Sequence, residues 1–248
     1  NFRAGVNAGN SIASGGNYNV VIGDEAGTAL TTGDNNVAIG FEALKTEDAN
    51  GDNVAVGYQA LKVLNAGADG FNTAVGYLAG TAMTTGLRNT LIGAAAGDVI
   101  TTADDNIAIG HNALGGNILG SNNVAIGKDA LEEMNPATAV DMHNTAVGFS
   151  AGQKVSTGTL NTFLGALAGD ALTVGGSNVS LGYFSLTADT KGSKSVAVGT
   201  AALGDQNFTT ATDTFNVAIG QEAGRSVTTG VQNTLIGSLA GDALTDAD

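Results

Sequence analysis

The side chains best suited to moving protons in this chain are His111 and His143, and neither has a partner at catalytic or metal-ligand spacing. His111 follows a glycine and His143 lies in an insert, so each reads as a solvated side chain. No Ser-His-Asp order, HExxH helix, Walker A loop or Rossmann fingerprint appears. Glycines do follow short apolar runs, as in the GYLAG segment at 76–80, but they do not make GxGxxG and never lead into a helical pattern. Asp98, Asp170 and Asp242 recur at one place in the pattern, with Asp104 and Asp105 close to the first. Carboxylates and turn carbonyls are the ligands Ca²⁺ takes, but the GGxGxDxUx nonapeptide of calcium-binding coils is missing, and each Asp reads as a turn former. The expectation is a chain that is no enzyme and has no cofactor or metal, with Ca²⁺ lacking any motif.

A second set of residues is placed with more regularity. Asn19, Asn36, Asn53, Asn72, Asn89, Asn106, Asn123, Asn144, Asn161, Asn178, Asn216 and Asn233 each open the same short pattern, and Ser195 is the one break. In stacked copies each amide can donate to one neighbour and accept from the other, which satisfies polar atoms where water is scarce. The expectation is therefore a structural asparagine ladder.

The remaining candidates sit where the pattern is stretched, at 62–71, 132–143 and 204–215. A ring precedes the next Asn each time, at Phe71, His143 and Phe215, and Met134, Met142 and Phe208 add apolar surface. Two readings stand. In one, these six side chains contact a partner through enlarged loops. In the other, the rings fold back over the coil or grip a neighbouring protomer.

The elements that position these residues follow from the repeat. Successive pattern starts from Asn19 onward lie 17, 17, 19, 17, 17, 17, 21, 17, 17, 17, 21 and 17 residues apart, and a degenerate copy begins at Asn1. Each copy carries one β-branched triplet closed by Gly, then a stretch ending Ala-Leu or Ala-Gly, then a polar turn. Seventeen residues are too few for a helix pair, and no 3.6-residue rhythm persists. The pattern predicts an all-β chain, a parallel β-solenoid of about fourteen rungs with two or three short strands each. It forms one array over 1–248, with four-rung super-repeats at about 36–105, 106–177 and 178–248. Within Asn-Val-Ala-Ile-Gly at 36–40, Val37 and Ile39 face one way and Ala38 the other. Taking the bulky pair as the core leaves an alanine face outside that calls for a partner, and homotrimerisation through it is the expectation. On that reading Ile109→Asp breaks the coil and Ala108→Arg dissociates the oligomer.

Composition fits a thin, regular coil. Gly supplies 38 of 248 residues and there is one Pro, yet 43% of residues are apolar, too many for a disordered linker. A net charge of −14 opposes binding to nucleic acid or anionic membranes. No cysteine is present, so disulfides and thiolate metal sites are excluded. No apolar run approaches a membrane span, and the chain reads as a segment of a longer protein.

The residues NNVAIG, NTAVG and DNIAIG resemble the NSVAIG-type repeats in the YadA-like heads of trimeric autotransporter adhesins, and NTLIG with Ala-Gly and Thr-Thr-Gly punctuation is similar to shaft repeats of phage tail fibres and other bacterial surface fibres. The period of 17 differs from the roughly 14 of the adhesin heads. The resemblance implies a left-handed parallel β-roll in a homotrimer, on a bacterial surface or virion, that spaces or presents an attachment tip. The alternative is a module that itself binds a glycan or receptor through its enlarged loops. Ice binding is disfavoured, because the Thr pairs recur mostly every fourth rung.

Overall fold

A computed structural model describes residues 1–246. It is a parallel β-solenoid of about fourteen turns with a period near 17 residues, and no helix occurs among the described residues. The chain divides into two compact units, Asn1–Asn122 with Pro136–Val140, and Asn123–Asn135 with the chain from Asp141 onward. The first holds seven three-residue wall strands, from Phe2–Ala4 to Ile107–Ile109; the second holds seven more, from Val124–Ile126 to Thr234–Ile236.

Within each unit the wall strands pair in parallel and in register, as in Val37↔Val54, Ala38↔Ala55 and Ile39↔Val56. Hydrogen bonds continue around the coil beyond the strands. The N–H of Val37 donates to the Asn53 carbonyl (2.8 Å), that of Glu42 to Asp24 (3.0 Å) and that of Gly27 to Ala43 (2.9 Å). The backbone thus satisfies itself between turns, the requirement for burying main chain.

The second apolar stretch of each rung is a turn, where a further strand was expected. The cause is left-handed backbone at the second and fourth residues after the closing glycine, as at Glu42 (φ 54°) and Leu44 (φ 49°). Extended structure cannot run through such residues. Small two-residue strands occur elsewhere, as in Gly192–Ser193 paired with Thr212–Asp213. The closing glycines do take the corner conformation, and stacking adds a second reason for Gly. At Gly93 (φ 139°) a Cβ would lie 2.4 Å from the Gly110 carbonyl oxygen of the next turn.

The facing of the wall strands is the reverse of the sequence expectation. Ala38, Ala55, Ala74 and Ala108 are fully buried, while Val37, Ile39, Ile107 and Ile109 lie on the outer side, Ile107 37% exposed. Opposite a leucine turn the coil is too thin for Val or Ile on its inner wall, because the leucines of the far side already occupy the middle. Val21 is accommodated where Gly27 stands across from it. In the second unit Ala197 and Ala218 pack with Leu186 and Leu203 in one cluster.

The same space explains the four-rung order. Where the strand centre is bulky, as at Leu91, Phe163 and Leu235, the residue four places after the glycine corner is Gly rather than Leu, in that rung and the one before it. A Cβ on Gly80 would lie 2.8 Å from Leu91, one on Gly152 2.7 Å from Phe163, and one on Gly169 2.3 Å from Phe163. One large side chain therefore replaces two leucines and keeps the interior filled.

Candidate functional site: the outer faces of the coil

The asparagine column is largely buried, runs through each unit with one break at Ser195 in the second, and does more than link side chain to side chain. Oδ1 of each Asn accepts from the backbone N–H of the next, as from Asn89 to Asn72 (2.9 Å) and from Asn178 to Asn161 (3.0 Å). Nδ2 donates to the preceding Oδ1, as from Asn161 to Asn144 (3.1 Å), and to a carbonyl in the following turn, as from Asn161 to Gly175 (3.0 Å). Asn1 joins at the start, accepting from the Asn19 N–H (2.9 Å). At the break, Gln206 supplies the missing amide. It donates to Ser195 Oγ (2.9 Å) and Asp189 Oδ2 (2.6 Å) and accepts from Asn216 Nδ2 (2.9 Å).

Beside this column runs an interior apolar one, Leu30, Leu64, Met83 and Ile100 among its members. It is interrupted by buried polar side chains that the sequence reading missed: Glu47, Asn117 and Asp189 once in each group, and Gln206 in the turn after Asp189. Asp189 accepts from the N–H groups of Gly192 (2.9 Å) and Phe208 (3.2 Å), and Glu47 from Asn50 Nδ2 (3.0 Å) and the N–H of Ala66 (3.2 Å). They replace apolar side chains at one fixed place in the repeat, which was the available signal. They close turns and face no solvent.

Of the six partner-contact candidates, three are excluded by burial. Met134, Met142 and Phe208 lie inside the coil, and Asn144 Nδ2 lies 3.8 Å from Met134 Sδ. Phe71, His143 and Phe215 are exposed, Phe71 59% and Phe215 50%, with left-handed backbone at all three (φ 50°, 53° and 52°). The residue before each Asn is an outward corner, so these rings neither tuck back over the coil nor share a site with the buried methionines. Phe215 carries Lys194 Nζ 5.0 Å from its ring centre.

Aromatic order appears instead at the residue after the strand glycine. Phe41, Tyr58 and Tyr77 stack in successive turns, with ring centres 5.5 and 5.2 Å apart and planes within 17°. Alongside, Glu42 accepts from Lys45 Nζ (2.7 Å), Lys62 Nζ (2.7 Å) and Gln59 Nε2 (2.7 Å), and the two lysines hold its carboxyl down to about 2. Asp98 differs: burial holds its carboxyl above the usual range, partly offset by the N–H groups of Asp98 and Val99. Asp170 accepts the Thr187 hydroxyl. Among the described residues no three His, Cys, Asp or Glu side chains gather to hold a metal ion.

A further repeated feature on the outside is the outer strand face, two columns of Val, Ile, Thr and Leu in each unit. Ile92 (37% exposed), Leu164 (48%) and Ile219 (39%) are among its open members. No protein-family model, curated protein or solved structure gives a significant match to this chain.

Proposed function

We propose that this chain is a non-catalytic structural segment of an extracellular trimeric fibre, of the adhesin-head or tail-fibre kind, that spaces or presents an attachment tip. The observation that carries the reading is the apolar outer face of the wall strands. Sheets that meet water alternate apolar and polar residues, whereas here the outward positions of Ile107–Ile109 are both Ile and those of Val179–Leu181 are Val and Leu. Contiguous apolar surface of this kind marks association. The trimer contact moves accordingly from the alanine face, which lies inside, to the Val/Ile face. Extracellular placement and three-fold assembly rest on the repeat resemblance together with this surface.

Sedimentation equilibrium tests the assembly. The reading requires a mass near three chains. A single-chain mass at micromolar concentration overturns it and leaves a free-standing coil.

A further inference from the structure

One place in the second unit departs from the repeat. In the turn after Gly57 the second and fifth residues are Gln59 and Lys62, and after Gly127 they are Asp129 and Glu132. After Gly199 they are Ala201 and Gly204. The longer side chains of the corresponding turns in the first two groups are missing, and a recess of about 270 Å³ opens in their place. Phe184 and Thr187 of the preceding turn line one side; Asp205 and Arg225 line the other. Where Phe184 stands, the first group has Glu42, the centre of its charged network. The third group thus replaces an ion-pair cluster with an aromatic wall over a floor of small residues.

We propose that this recess binds a single neutral hexopyranose ring, such as a terminal sugar of a glycan. Its volume is just under the roughly 300–1,000 Å³ of pockets for drug-sized ligands, which fits one ring. The negative face of an aromatic attracts the polarised C–H groups of a pyranose. The ring of Phe184 is fixed for this by an edge contact with Tyr183, centres 4.2 Å apart at 69°. Arg225 meets Glu222 through one nitrogen (3.2 Å) and keeps further donors for sugar hydroxyls, while the Asp205 carboxylate accepts from them. The charges decide against an acidic sugar. Asp205 in the lining and Glu222 paired to Arg225 outnumber that single lining cation, on a chain of net charge −14.

The test is ligand-observed NMR on the full chain with methyl glycosides of neutral hexoses, and with methyl glucuronide as the anionic comparison. Saturable binding of a neutral glycoside is expected. Two variants should weaken it about tenfold or more: Phe184→Ala, which removes the stacking face, and Ala201→Gln with Gly204→Lys, which restores the residues the first group carries. The double variant should keep the parent melting temperature, because the same residues are accommodated at Gln59 and Lys62. Absence of saturable binding by every neutral glycoside overturns the proposal, as does undiminished binding by the filled variant. Preference for the glucuronide overturns the assignment to neutral sugars. These readouts do not depend on the sedimentation mass, so recess and trimer stand or fall separately.

Discussion

The Asn161 side chain sits at the crossing of four hydrogen bonds, so its removal acts on two neighbouring turns. Asn161→Ala deprives the Asn178 N–H and Nδ2 of their acceptor and the Gly175 carbonyl of its donor. Stranding buried groups costs about 1–3 kcal/mol each, and a loss of roughly 3 kcal/mol is expected, read as a lower urea midpoint. A change within 0.5 kcal/mol would show that each Asn serves only its own turn. Glu42 gives a pH signature. Its carboxyl is lowered in the folded chain from an ordinary 4.5 to about 2. The stability it adds is therefore present above about pH 5 and is lost as pH falls toward 2. Melting measured across that window should flatten in Glu42→Gln, and identical profiles would remove the carboxylate from the account. The asparagines were legible because one residue type recurs at one place. Gln206 and Asp189 were harder to see, since the signal is only a polar residue at one fixed place that is apolar in most rungs.

At the level of the coil, period, parallel pairing and glycine corners could all be read from residue spacing. Facing could not. Alternation assigns Val37 and Ile39 to one side and Ala38 to the other, and the sequence reading gave the interior to the bulkier pair. The turn opposite decides otherwise, because Leu44 and Leu61 already fill the middle. The pairing of Phe163 with Gly152 and Gly169 carried that information, since residues that trade volume must share a space. The trade is testable. Phe163→Ala should cost about 3–5 kcal/mol by opening a cavity. Adding Gly152→Leu should recover part of the loss, as Leu44 and Leu61 adopt the same left-handed backbone (φ 49° and 48°). Failure of the second change to restore stability would mean that the two sites do not share one space.

For the whole chain, the reversal of facing exchanges the expected effects of two substitutions. Ala108→Asp places a charge inside the coil and should lower the melting temperature steeply, because a buried unpaired charge is costly. Ile109→Asp puts its charge on the outer face and should yield a folded chain of single-chain mass. Both masses are read by sedimentation, and a trimeric Ile109→Asp would take the interface away from the Val/Ile face. The stretched rungs drew attention in the sequence through their rings, yet half of the residues singled out there proved to be filling. The volume trade at Phe163 has a further consequence for how such a chain can change over generations. Altering Phe163, Gly152 or Gly169 alone opens a hole or forces a clash, so intermediates between the two rung types are selected against. Copying a complete block of rungs alters none of these pairings. Recombination between blocks, rather than stepwise point change, is the open path by which this coil lengthens or shortens, and block boundaries should be preserved wherever related chains differ in length.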